Sequence, residues 1–285
     1  MDGVLSGLGG KLTERWATLL ALPGLAFAAT LILAWWVRPL GPRRAADPKA
    51  IMQRLDSPLD AWLRDGIHEA ALICAIALLG SASALVANEL GGVIGRFWLG
   101  RHRWFTQLMR GSLAHRRDLA RSAVLDPTRY QVPEIYLPAT ATRIGDSFLL
   151  VQKRIQAQYD VGLSRLWPRL WQLCDEAERS LAQQAWDQYR AATVRAAWSV
   201  GYLLLSVCWW PAGFVGIFLG LTAHLSARRS AAEFSMAVEA LVDVKIVATA
   251  TALGVPLPHG RFTRADGPAL ENVLDKGSII PLPSG

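Results

Sequence analysis

No Lys, Arg, Asp or Glu occurs between Ala196 and Ala227. The run reads AAWSVGYLLLSVCWWPAGFVGIFLGLTAHLSA, with Arg195 before it and Arg228 and Arg229 after it. A single helix of this length would extend roughly 48 Å at ~1.5 Å per residue. A bilayer's hydrocarbon core is only ~30 Å thick, so one straight span fits poorly. The run contains its own break, Trp209-Trp210-Pro211-Ala212-Gly213. Proline lacks the backbone donor that a continuing helix needs, yet it suits the first turn of a new helix. Tryptophan favours the membrane–water interface. The pattern predicts two short spans that meet at a tight turn on one membrane face, with both arginine flanks on the other.

Two further apolar runs precede it. Residues 16–37 carry no charge over 22 positions, and Trp16, Trp35 and Trp36 lie at the ends. That length is enough for one span, and neighbouring helices can accommodate the kink expected at Pro23. It exceeds the apolar region of a cleaved signal peptide, so a retained signal anchor is expected. Residues 70–88, AALICAIALLGSASALVAN, form a second expected span. Ser81 to Ala84, Gly91 and Gly95 give its continuation a small-residue face that permits close helix packing.

These runs explain a composition that is 52% hydrophobic and only 19% charged, below the quarter or so typical of soluble domains. The net charge of +7 would suggest nucleic acid in a soluble chain. Here the basic residues flank apolar runs. The segment 96–129 alone carries eight arginines against Asp118 and Asp126. Its position directly after a span assigns it to membrane topology and anionic headgroups, and argues against nucleic acid.

The expected organisation follows. Residues 1–95 form an N-terminal membrane region with spans at 16–37 and 70–88, joined by a polar connector with one or two surface helices near 49–63. Residues 96–192 form a helical domain, 193–229 a short transmembrane hairpin, 230–254 an amphipathic helix, and 255–285 a flexible Pro- and Gly-rich tail. The fold class is all-α, a four-span integral membrane bundle with a small cytoplasmic helical domain. The positive-inside rule places the N-terminus, residues 96–192 and the C-terminus in the cytoplasm and 38–67 outside. Arg38, Arg43 and Arg44 conflict with that placement.

Within 137–192 lie Thr142-Arg143-Ile144-Gly145-Asp146, then Tyr159, Val161 and Gly162, then Trp167-Pro168-Arg169-Leu170. This block resembles one found in a family of bacterial multi-pass membrane proteins, with Asp146 where the family pattern has Asn. The resemblance implies a similar architecture, including a short apolar hairpin and helix after the block, and a bacterial inner-membrane location. It implies no activity.

Chemistry is sparse. His68, His102, His115, His224 and His259 show no metal-ligand spacing, and Cys74, Cys174 and Cys208 show no disulfide or zinc pattern. No Walker loop, dinucleotide glycine pattern, GxSxG or HExxH occurs, so no cofactor is expected. Arg143, Arg165 and Arg169 are candidates for an anion or lipid-phosphate contact. The alternative is that they brace helices through Asp146, Asp160 and Asp175. Glu89 and His224 are the candidates for an intramembrane polar site, against a bland interfacial role in which Glu89 pairs with Arg96 or meets water. Gly216 and Gly220 form a second GxxxG, expected to serve intramolecular packing. Three functional classes remain. The favoured one is a non-enzymatic anchor, scaffold or sensor that uses anionic lipid headgroups and a cytoplasmic protein partner. The others are an oligomeric channel, transporter subunit or membrane-disrupting effector, and a membrane enzyme.

Overall fold

The computed structural model describes residues 22–37, 47, 49–52, 66–100, 110–122, 137–138, 140 and 142–275. Among these residues the chain is helical and has no strand. The helices are α1 Leu22–Val37, α2 Gly66–Trp98, α3 Arg110–Ser122, α4 Arg143–Tyr159, α5 Leu163–Leu173, α6 Glu176–Leu205, α7 Pro211–Ala252 and α8 Gly267–Leu274. The surface helices expected near 49–63 lie largely outside the described residues, as do parts of the basic segment and residues 276–285.

The chain divides into two compact units. Unit 1 comprises Met1–Gly95 and Arg190–Ser226, and unit 2 comprises Arg96–Tyr189 and Ala227–Gly285. Helices α6 and α7 each contribute residues to both units.

Unit 1 is built from antiparallel neighbours. The helix break falls where Pro211 predicts it: α6 ends at Leu205 and α7 starts on the proline. The two helices then run back along each other. Ser199 Oγ donates to the Gly216 carbonyl at 2.7 Å. Glycines make the approach close, because a Cβ on Gly216 would sit 2.8 Å from the Leu203 side chain and one on Gly220 would sit 2.8 Å from Ser199 Oγ. The second GxxxG therefore packs the hairpin internally. Helix α2 lies against α6 through Gly91, where a Cβ would meet the Val194 backbone at 3.1 Å. Helix α1 crosses α2 at Gly24, where a Cβ would collide with the Gly80 carbonyl oxygen. Phe27 of α1 packs between Trp198 and Tyr202, tilted against the first and edge-on to the second, with ring centroids 5.5 and 5.2 Å apart.

Unit 2 closes around an aliphatic core. Ile155, Val161, Leu166, Leu170, Val242, Ile246 and Leu270 are buried together. Beside it Phe148, Trp186, Tyr189 and Phe234 form an aromatic group with centroids 5.5–6.3 Å apart. Residues 255–275 correct the expectation of a flexible tail. Gly254 and Gly260 take left-handed turns. Thr263 and Asp266 form a reciprocal capping box, and α8 then inserts Leu270 and Leu274 into the core. The turn residues that suggest an extended tail instead fold it back.

Candidate membrane belt and polar clusters

Among the described residues one helical segment, Ile73–Trp98, has the length and composition of a membrane span. Leu22–Val37 is a shorter apolar helix. Of the four spans expected from sequence, one segment passes on length and apolarity among the described residues. The exposed surface extends this picture. Most of the large apolar side chains left exposed belong to unit 1, among them Leu78 at 72%, Val86, Leu204, Val207 at 87%, Phe214 and Phe218. Unit 2 exposes far fewer, and its surface carries ion pairs instead. An apolar surface this large is rare on a monomer in water and marks a partner or a membrane.

Unit 1 has a polarity along its length. Ala34 of α1 and Trp209 of the hairpin turn belong to one apolar cluster. Trp35, 70% exposed, and Trp36 follow Ala34, and the half-exposed Trp210 follows Trp209. Two tryptophan pairs therefore lie at the same end. At the other end lie Glu89 and His224, both exposed. Pairing Leu203 with Gly216 and Ser199 with Gly220 carries the hairpin register on to Arg195 opposite His224. Pairing Gly91 with Val194 puts Glu89 within a turn of the same height. The structure brings the two candidate intramembrane residues to one level with Arg195, but on outward faces rather than in a shared interior site. Glu89 makes no ion pair among the described residues.

In unit 2 the polar groups are joints. Asp146 is 4% exposed. It accepts from Arg116 Nη2 at 2.5 Å and from the Thr140 backbone N–H at 2.7 Å. Arg116 Nη1 also donates to the Thr140 carbonyl at 2.9 Å, and Arg117 Nε donates to the Pro138 carbonyl at 2.8 Å. Thr142 caps α4 by accepting from the Gly145 N–H at 2.9 Å, and its hydroxyl donates to the Trp98 carbonyl. The residues that carry the family resemblance at 142–146 thus lock the start of α4 to the end of α2 and to α3. Asp160, which follows α4, takes a left-handed conformation at φ 54° and bonds back to the Gln156 carbonyl.

The three candidate arginines separate. Arg165 Nη1 pairs with Glu271 at 2.5 Å and with Asp275 at 2.7 Å. Glu271 also accepts from the Gly162 N–H at 3.1 Å. Arg169 donates to the Arg165 carbonyl at 2.7 Å and reaches the Leu274 carbonyl at 3.5 Å. Both therefore brace α5 against α8. Arg143 stands apart, exposed near the start of α4 with no ion pair among the described residues. The carboxylates expected as bracing partners are corrected. Asp146 serves Arg116, Asp175 caps α6 reciprocally with Glu178, and the bracing acids are Glu271 and Asp275. Sequence reading missed them because it left their segment unstructured. Their spacing of four residues on a short helix was the available signal.

Several titrations follow from this packing. Burial, then the hydrogen bond to Asp243 at 2.7 Å, pushes the Tyr159 hydroxyl up to about 12. Burial alone takes Tyr189 to about 12. The Cys174 thiol is raised by burial and by Glu178. The hydrogen bond from Lys245 to Glu178 raises Lys245, and the bonds from Thr263 lower Asp266. Among the described residues no group of three His, Cys, Asp or Glu side chains could hold a metal. The three cysteines are free thiols. No family model matches the chain, and neither a curated protein nor a solved structure matches it.

Proposed function

We propose that unit 1 is a membrane-embedded helical bundle and that the chain acts as a non-enzymatic anchor, scaffold or sensor whose unit 2 engages a partner in the cytoplasm. The observation that carries this reading is the concentration of exposed large apolar side chains in unit 1, while unit 2 buries its own and surfaces ion pairs. Four antiparallel segments (α1, the first part of α2, the end of α6 and the start of α7) supply the spans, with the turn at Trp209 and Trp210 at one interface. The basic flanks at Arg96, Arg195, Arg228 and Arg229 favour residues 96–192 and the tail on the cytoplasmic side, next to anionic headgroups. The polar clusters of unit 2 support a structural role, since Asp146, Arg165 and Tyr159 are spent on helix joints.

The test uses the native Cys208, exposed at the hairpin turn. In intact cells an impermeant maleimide is expected to label Cys208 in a background lacking Cys74 and Cys174. A single cysteine placed at Ala177 is expected to stay protected until the cells are opened. Solubilisation of the chain by alkaline carbonate would overturn the membrane reading. Labelling at position 177 from outside would invert the orientation.

A further inference from the structure

We infer that α3, with Arg143 beside it, is a docking surface for anionic phospholipid headgroups. The inference rests on the membrane reading of unit 1 and names the lipid that unit 2 meets. The net charge of unit 2 is concentrated in one stretch. Residues 96–129 carry eight arginines against Asp118 and Asp126, whereas the rest of the unit holds twelve basic residues against thirteen acidic ones. Helix α3 lies within that stretch. Its inward side is Leu113, Arg116 and Ala120, all half-buried, and Arg116 is spent on Asp146 and the Thr140 carbonyl. Ala114, Arg117 and Arg121 recur at three- and four-residue steps on another side and are exposed. Arg117 gives only its Nε, to the Pro138 carbonyl. Arg121 has a loose partner in Asp118 at 3.8 Å, and both side chains are well exposed. Arg143 is exposed as well and makes no ion pair among the described residues.

The placement of these arginines selects the partner. The uncharged run of α2 from Ala70 to Asn88 is about 28 Å long, which matches an ordinary hydrocarbon core. Past it α2 continues from Glu89 to Trp98, about 14 Å more. The headgroup layer takes up roughly 5–7 Å of that length. The helix therefore ends about 7–9 Å beyond the headgroups, comparable with the Debye length of ~8 Å at physiological salt. Tilt brings the end closer. Helix α3 and Arg143 are tied to this end of α2. Thr142 donates to the Trp98 carbonyl, and Arg143 follows it in the chain. Thr140, whose carbonyl accepts from Arg116, would meet a Cβ on Gly100 at 3.4 Å. The nine residues that link Gly100 to Arg110 add Arg101, Arg103, Trp104 and Phe105, residue types that favour a membrane surface. A nucleic acid would be drawn to the same charge, but it would have to approach a leaflet of its own sign.

The full chain, with Ala114→Cys in a background lacking the native cysteines, is labelled there with a fluorophore. It is reconstituted in phosphatidylcholine vesicles with increasing phosphatidylglycerol, and quenching by nitroxide on the lipid headgroups is read. The expected result is quenching several-fold greater in anionic than in neutral vesicles. It should reverse at about 1 M salt, where the Debye length falls to ~3 Å. Each arginine at an anionic surface is worth about fivefold in binding, so Arg117→Gln, Arg121→Gln and Arg143→Gln together should abolish the response. The double variant Arg121→Gln and Arg143→Gln leaves the Arg116 and Arg117 bonds of α3 in place and should weaken it about twentyfold. Lysine at the three positions should keep it, because a lipid surface reads charge. Equal quenching in neutral and anionic vesicles, none in vesicles that retain the protein, or a response unchanged in the triple variant would overturn the docking surface and leave the membrane reading intact. Capture of a labelled oligonucleotide by the protein in anionic vesicles, lost in the triple variant, would give the surface to nucleic acid and overturn the lipid assignment. Failure of the chain to float with vesicles of any composition would overturn both readings.

Discussion

Gly145 is one of the positions where the structure tolerates no side chain. A Cβ there would lie 2.8 Å from Thr140 Oγ1 and 2.9 Å from the Leu99 carbonyl oxygen. The carbonyl is backbone and cannot swing away, so Gly145→Ala is expected to cost about 1–3 kcal/mol. Gly92→Ala is the control, because nothing lies within 4 Å of a Cβ there. Alanine's better helix propensity makes that change neutral or stabilising by up to about 1 kcal/mol. Thermal unfolding in mild detergent should separate the two variants by several degrees. Tyr159 supports a different test. Its hydroxyl is raised from 10.0 to about 12 in the folded chain. A group whose folded value is raised stabilises fully below the unfolded value, and the benefit disappears as pH climbs through the folded one. Unit 2 should therefore lose stability between about pH 10 and 12, with Tyr189 adding to the slope. Tyr159→Phe should flatten that loss while lowering stability at neutral pH by about 1 kcal/mol, the worth of the bond to Asp243. Alkaline titration of the unfolding midpoint checks both signs.

Among the elements, α8 is the one that local sequence hides best. It is eight residues long and lies in a stretch dense in proline and glycine. Its stability comes from burying Leu270 and Leu274 and from Arg165, more than a hundred residues away in the chain. Such partners are invisible to periodicity, which reports only neighbours in sequence. The hairpin is the opposite case. Pro211 and the tryptophans before it announce the break locally, and the structure ends α6 and begins α7 around them. The candidate residues divide the same way. Arginines at 165 and 169 are legible as charges that need partners, but their partners depended on a helix that sequence did not reveal. Leu270→Ala is expected to cost about 2–5 kcal/mol, since the side chain is fully buried. Limited proteolysis should then cut near Arg261 and Arg264 well before the rest of unit 2 opens.

At the scale of the whole molecule, one pair of substitutions distinguishes a membrane-embedded unit 1 from a unit 1 in water. Leu78 of unit 1 and Val244 of unit 2 are almost equally exposed, at 72% and 69%. In water both positions would accept lysine with little effect, within about 0.5 kcal/mol, as exposed sites away from special features usually do. In a bilayer the two must differ. Leu78 lies within the uncharged run that starts at Ala70 and ends before Glu89, so an ammonium there faces hydrocarbon at a cost of about 2.5–3.5 kcal/mol. Val244 shares its helix with Asp243 and Lys245, where a charge has hydrated neighbours. Leu78→Lys is therefore expected to lower sharply the fraction of chain that resists alkaline extraction, and Val244→Lys to leave it unchanged. Equal behaviour of the two variants would mean that water, or a protein partner, covers the exposed surface of unit 1. The same comparison sets a limit on the channel alternative. A pore lined by the outward face of α2 would hydrate position 78 in an oligomer, and lysine there would then be tolerated and would reduce cation flux through reconstituted vesicles.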